Sequence, residues 1–282
     1  MSQHTPDPAP LVPPGRITYG SYLCIPDLLS LQREVSAPPH ADELLFITSH
    51  QVYELWFKQL LHELRHVCRW LDADRPLRAA QLFERIHAVQ HLLIEQIPLL
   101  ETMFAVSFNQ FRENLRPASG FQSVQFRVLE FLSGAKNARM IALVGDDPEA
   151  KAEMERALGA PTVYDHFLRH LARIGLAVPD AILRRDTSQP HEQHEGVVSA
   201  LVELYERSDE LYPQFRVAEH LLQYEERFAI WRFHHVKMVE RMIGTKVGTG
   251  GSSGAKYLAS TLAIRFFPDL LAVRDRLSTG YA

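Results

Sequence analysis

The chain has 282 residues, 46% of them hydrophobic, and a formal net charge of −4, which allows a substantial core in one large domain or two small ones. The mild acidic balance gives no footprint for nucleic acid or an anionic membrane surface, and no run approaches the roughly 18 apolar residues of a membrane span. The two cysteines, Cys24 and Cys68, lie far apart with no CxxC pattern, which argues against a disulfide scaffold or a cysteine zinc cage and fits a reducing compartment.

Residues 1–15, MSQHTPDPAPLVPPG, are proline-rich and lack the apolar centre of a secretory signal. They read as a disordered tail before one domain over 16–282 of a cytoplasmic protein. From 42 to 71 an apolar pattern recurs every three to four residues without glycine or proline, which predicts one long helix. The pattern repeats over 77–104, with Pro98 as a kink near its end. Two further helices are predicted at about 107–115 and 121–133, parted by the turn RPASG at 116–120. Residues 146–192 are more polar and read as short helices and loops. Helical pattern returns at 196–207, dominates 211–243, and resumes over 255–280 with a break near Pro268. Period-two alternation is scarce and no internal repeat is present, so the expected fold is all-α, with one main helical bundle.

The stretch FHHVKMVERM, within the last long helix, carries adjacent histidines. At about 100° per residue, Tyr224, Phe228, Trp231, His235, Met238, Val239 and Met242 share one stripe, and His234 falls outside it. On 42–71, the same construction gathers Phe46, His50, Tyr53, Phe57, Leu60, Leu64 and Leu71, and leaves out His62 and His66. Two long helices thus each present one histidine from an apolar, aromatic face. Such residues serve as core histidines, or as the walls of a pocket for a flat apolar cofactor such as haem, with one axial imidazole and a second histidine opposite. The absence of CxxCH excludes thioether attachment of a haem. A competing pattern is the pair Glu63-x-x-His66 and Glu84-x-x-His87, the spacing used in di-metal carboxylate bundles, although His66 lies off the apolar face.

In SFNQFRENLRPASGFQ (107–122), Phe108 and Phe111 flank an arginine, Arg112, whose planar fork suits a carboxylate; the alternative is a surface ion pair. Gly120 stands where a helix start would present backbone N–H groups. The later run GTKVGTGGSSGAK lacks GxxxxGK[ST] and follows a helix, so nucleotide binding is not expected. Its glycines allow either a mobile lid with hydroxyls or a flexible connector.

Taken together, TYGSYLCIPDLLSLQ (18–32), DELLFITSHQVYELWFKQLLHEL (42–64), FRENLRPASGFQSVQFRVLEFL (111–132), WRFHHVKMVERMIGTKVGTGGSSG (231–254) and FFPDL (266–270) resemble the tryptophan 2,3-dioxygenase family, in its order and over most of the chain outside 1–16 and 134–200. The resemblance implies a cytoplasmic, all-α homotetramer, a dimer of dimers. It also implies haem b held non-covalently, and opening of the indole ring of L-tryptophan by O₂ to N-formyl-L-kynurenine, the first step of the kynurenine route. It assigns the axial iron ligand to His235, with Trp231, Ser119 and Gly120 around the haem. His50 becomes the distal histidine, Phe46 a wall against the indole, and Arg112 the clamp on the substrate carboxylate. Thr249 takes the amino-acid end, and Phe108 stands where some members have tyrosine. Tyr19, Tyr22 and Leu23 match a segment that reaches a neighbouring subunit's pocket. The alternatives are a haem dioxygenase of broader indoleamine specificity, a non-catalytic haem carrier or sensor, and a helical scaffold without cofactor.

Overall fold

The computed structural model describes residues 17–246, 248 and 254–277. Two one-turn helices come first, α1 (Tyr19–Tyr22) and α2 (Ile25–Leu28). The first is opened by a capping box in which Thr18 and Ser21 exchange side-chain and backbone bonds. An extended strap then leads to α3 (Glu43–Asp72), whose buried face carries Tyr53, Phe57, Leu60, Leu64 and Leu71, on the stripe read from periodicity. Asp74 takes a left-handed φ of 54° at the turn into α4 (Pro76–Glu95), which folds back along α3.

The helix predicted over 77–104 is shorter than expected. It ends at Glu95 and restarts as α5 (Ile97–Leu100), with α6 (Ala105–Phe111) after it. Pro98 has no N–H and its ring opposes the carbonyl four residues back, so the chain breaks one turn earlier than a mere kink requires. Arg112–Leu115 and Gly120–Gln122 are 3-10 turns that lead into α7 (Val124–Ser133). The polar middle forms α8 (Pro148–Gly159), α9 (Val163–Arg173) and α10 (Asp180–Leu183), followed by α11 (Glu195–Glu206). The longest element is α12 (Tyr212–Ile243), and α13 (Ala255–Ser260) and α14 (Pro268–Ala272) close the described chain. No strand occurs among the described residues, so the fold is all-α.

Helices α3, α4 and α12 form the spine, with α4 packed between the other two, and α7 and α9 lie on α3. Leu60, Leu64, Phe83, Ile86, Leu221 and Tyr224 interlock there, each wholly removed from solvent. Burying side chains of this size contributes roughly 1.5–3 kcal/mol apiece before entropy is counted.

The segment 134–200 acts as a brace. Buried Asp269 accepts from the Tyr164 hydroxyl at 3.0 Å, from His191 Nε2 at 2.5 Å and from the His194 backbone at 2.7 Å. Lys136 Nζ donates to the carbonyls of Ala157, Leu158 and Ala160 at 2.7–2.9 Å, which satisfies the free C-terminal end of α8. No helix among the described residues is long and apolar enough to cross a membrane.

Candidate functional site

One cavity, of about 300 Å³, opens between α3, the α6–α7 segment and α12. Its walls are mainly apolar, and the polar groups in them come from separate parts of the chain. From α3 project Phe46, His50 and Glu54, one helical turn apart, so four-residue spacing alone aligns them. Phe108 and Arg112 enter from the end of α6 and the 3-10 turn after it. Trp231, His235, Met238 and Met242 enter from α12. His234 is exposed and belongs to a shallow outer surface with Ile230 and Phe233.

His50 is held in one tautomer. Its Nδ1 lies 2.7 Å from the Phe46 carbonyl, which only accepts, so Nδ1 carries the hydrogen and Nε2 keeps its lone pair. Burial lowers its pKa, against opposing contributions from that hydrogen bond and from the Glu54 charge, so the ring is neutral at pH 7. The Phe46 ring leans on His50 with centroids 4.1 Å apart, stacks on Phe108 at 5.6 Å, and meets Phe111 edge-on at 5.8 Å. The aromatic wall is therefore fixed from three sides.

Across the cavity, His235 stacks on Trp231 with centroids 5.3 Å apart and planes 17° from parallel. Burial, with a smaller contribution from His50, pushes its pKa down to about 4. The ring is a neutral imidazole, and neither of its nitrogens is engaged by a hydrogen bond among the described residues. Such a ring can give a lone pair to a metal. The Trp231 Nε1 is buried, and the neighbouring Tyr53 hydroxyl, which donates to Leu93 O at 2.8 Å, does not receive it in hydrogen-bond geometry.

Arg112 is 4% exposed, with its guanidinium 4.0 Å from the solvent-facing carboxylate of Glu113. The arginine itself is buried, although the carboxylate it pairs with there is at the surface. A buried guanidinium in an apolar wall suits an anionic group. Ser119 and Gly120 line the cavity through a second capping box: Ser119 Oγ accepts from Phe121 N at 3.3 Å, and Gln122 Oε1 accepts from Ser119 N at 3.1 Å. A Cβ on Gly120 would meet nothing within 4 Å, so the turn faces open space.

The structure does not bring every residue named above to this cavity. Thr249 lies outside the described residues. Tyr19, Tyr22 and Leu23 are 78%, 70% and 42% exposed on the N-terminal helices and do not line this chain's own cavity. The two ExxH pairs are kept apart as well. Glu63 is buried against Arg85 at 2.7 Å, His66 bonds its own helix, and His87 turns to His220. Among the described residues no three His, Cys, Asp or Glu side chains gather as a metal set.

Four charged lining residues escaped the sequence reading. Glu54 is held by Gln125, whose Nε2 lies 2.9 Å from both its carboxylate and its carbonyl. Glu130 bridges two buried arginines, accepting from Arg127 at 2.5 Å and from Arg232 at 2.9 Å. The signal for these was the polar pair Arg127-x-x-Glu130 inside the otherwise apolar VQFRVLEFL.

Comparison with known proteins points one way. The profile of the family described as tryptophan 2,3-dioxygenase matches residues 8–157 and 200–277. The chain is 41% identical over 262 residues to a protein of Serratia proteamaculans, covering 93% of this chain and 94% of the relative. It is 42% identical over 263 residues to one of an Arthrobacter strain, covering 93% of each. It is 43% identical over 264 residues to one of Myxococcus xanthus, covering 94% and 91%. All three relatives are named tryptophan 2,3-dioxygenase.

Proposed function

The chain belongs to the tryptophan 2,3-dioxygenase family, and from that we propose that it opens the indole ring of L-tryptophan with O₂ at C2–C3, giving N-formyl-L-kynurenine. The observation that carries this reading is the convergence of His50, His235, Arg112 and Phe46, from three separated segments, on one apolar cavity.

The donor set supports haem b as the cofactor. One neutral imidazole, stacked on Trp231 and engaged by no hydrogen bond among the described residues, would be free to give a nitrogen lone pair to the iron of a haem. His235 is the proposed ligand. Trp231 would back it, and Ser119 and Gly120, which line the same cavity, would help hold the group. When bound, the haem iron supplies the place at which dioxygen is activated.

This chain's own residues bind and orient the substrate. Arg112 pairs with the carboxylate in a cavity poor in water, where leaving either charge unpaired costs a few kcal/mol. Phe46 and Phe108 give the indole a flat wall, and Phe108 brings no hydroxyl to the carboxylate, so the burden falls on Arg112 and Thr249. His50 offers the Nε2 lone pair to the indole N–H, because its Nδ1–H is committed to Phe46 O. That is a role in orientation, with the gain coming from positioning.

On the same reading the working unit is a cytoplasmic homotetramer. The exposed Tyr19, Tyr22 and Leu23 serve a neighbouring subunit's pocket in it. The first test is the ultraviolet–visible spectrum of haem-reconstituted protein, reduced anaerobically and then given L-tryptophan and air. A Soret band and growth of N-formylkynurenine absorption, both lost in His235→Ala, are expected. A Soret band without product would leave a haem carrier, and no Soret band would return both histidines to the core.

A further inference from the structure

Two buried histidines take no part in the proposed reaction: His87 on α4 and His220 on α12, 5% and 6% exposed. Both rings stack on Phe83, with centroids 5.8 and 5.6 Å away, and they meet with His87 Nε2 3.1 Å from His220 Nδ1. The two ends of this row of hydrogen bonds fix where every proton sits.

At one end is the Tyr224 carbonyl, which only accepts. The Gln90 group 3.0 Å from it is therefore the NH₂, and the Gln90 oxygen faces His87 Nδ1 at 3.2 Å. An amide oxygen also only accepts, so His87 carries its hydrogen on Nδ1 and its lone pair on Nε2. His220 must then donate from Nδ1. At the other end, Arg216 Nη2 lies 3.1 Å from His220 Nε2 and has only hydrogens to give. That demands the same tautomer of His220, and through it the same tautomer of His87. The two ends together leave one proton for the contact between the rings, so both rings are neutral and each is protonated on Nδ1. There is no room for a third ring proton.

Adding one sets donor against donor. On His87 it would turn Nε2–H toward Nδ1–H of its neighbour across 3.1 Å. On His220 it would turn Nε2–H toward the Arg216 guanidinium, with Glu84 Oε1 at 3.6 Å as the competing acceptor. The charged groups acting on the pair come from these two helices: Glu84 on α4, and Arg216, Glu219 and Arg227 on α12. Two of the four are arginines, which oppose a further positive charge. Burial pushes His87 down to about 4 and lowers His220 as well.

We propose that the His87–His220 pair is an acid-sensitive latch on the α4–α12 seam, shut while both rings are neutral and opened by proton uptake. Its place gives it reach. The row runs from Arg216 to Tyr224 in the first half of α12, and the same unbroken helix carries His235 in its second half. Opening the latch loosens the helix from which His235 projects, whatever the cavity holds. The sign follows from linkage: the unfolded chain takes up these protons near pH ~6.5 while the shut latch refuses them. The latch is therefore at full strength above that pH and weakens as pH falls below it.

The test is made on the holoenzyme by mass spectrometry. Deuterium exchange at the imidazole C2 positions gives the midpoint of each histidine. His87 and His220 are expected to titrate below the ordinary histidine value of ~6.5. In the same acid range, amide protection over 76–95 and 212–224 falls once intrinsic rates are divided out. In the double variant His87→Gln/His220→Asn, the glutamine oxygen replaces the Nε2 acceptor and the asparagine NH₂ replaces the Nδ1–H donor, and neither titrates. Its protection stays level, so the ratio of opening constants, wild type over variant, changes by up to ~100-fold per pH unit. If the double variant does not fold, His220→Asn alone halves that exponent, to ~10-fold. A midpoint near 6.5 for either histidine, or the same acid opening in the variant, overturns the latch.

Discussion

Replacing Glu130 by glutamine is the sharpest probe of how the cavity wall is built. Glu130 is 6% exposed, and its two oxygens go to Arg127 at 2.5 Å and Arg232 at 2.9 Å, which are themselves 6% and 5% exposed. Three charged side chains are thus withdrawn from water with a net charge of +1. In Glu130→Gln the net charge becomes +2, and the amide can accept from one arginine only by turning its NH₂ toward the other. Removing one partner of a buried ion pair costs about 3–5 kcal/mol, because the remaining charge is left uncompensated. Part of the arginines' support survives: Arg127 lies 4.8 Å over Phe126 and Arg232 lies 4.9 Å over Phe228, contacts worth about 0.5–2 kcal/mol each. The net expectation is a loss of about 3 kcal/mol, a large share of the ~5–15 kcal/mol typical of a folded domain. Urea unfolding followed by helical circular dichroism, at one fixed protein concentration, gives the number. The apolar triple replacement Arg127→Met/Glu130→Met/Arg232→Met should recover much of the loss, since no buried charge is then orphaned. A Glu130→Gln protein within ~1 kcal/mol of wild type would show that water reaches these arginines and that the wall is not dry.

Three further outcomes are expected. Arg112→Lys keeps the charge but loses the planar fork, so KM for L-tryptophan should rise about 10–100-fold, an effect of ~1.5–3 kcal/mol, while tryptamine, which lacks the carboxylate, is handled alike by both proteins; equal KM values would place the carboxylate elsewhere. Because burial holds the His50 pKa below 6.5, kcat/KM should stay level from pH ~8 to ~6.5 and decline only on further acidification, as Nε2 gains a proton and can no longer accept; a midpoint at or above 6.5 for an effect absent from His50→Ala would contradict the neutral ring. Gly254 has φ +56°, and a Cβ there would come 2.8 Å from the Lys246 carbonyl, so Gly254→Ala should cost about 1–3 kcal/mol, visible as a lower Tm, and an unchanged Tm would mean the loop exit relaxes freely.

The all-α class and the inward faces of the two longest helices were legible in the sequence because a 3.6-residue period is a local property. Tyr53, Phe57, Leu60 and Leu64 declare their face without reference to any other segment. The single helix predicted over 77–104 is broken ahead of Pro98. Pro98 is compatible with a kink, yet at the second position of α5 it lets a new helix begin. The short helices α1 and α2 carry no apolar period at all. The capping residues Thr18 and Ser21 mark the start of α1, and Pro26 marks the start of α2.

Charges behave differently, and the cavity shows why. His50 and His235 could be placed because each sits on a stripe whose other members are apolar, so its direction follows from theirs. Glu130 and Arg232 could not be joined, because only the Arg127-x-x-Glu130 half of their bridge is local and the other half needs a partner far away in the chain. Arg232 is 102 residues from Glu130, and nothing at either position announces the other. The same holds for His87 and His220, 133 residues apart. In the sequence His87 stands only as half of the pair Glu84-x-x-His87, a local pattern that suggests a metal. Its true partner is a second imidazole on another helix, and the neutral tautomers the two rings share exclude the added charge. Local spacing therefore tells which way a side chain points, and only the packed helices tell what it meets there.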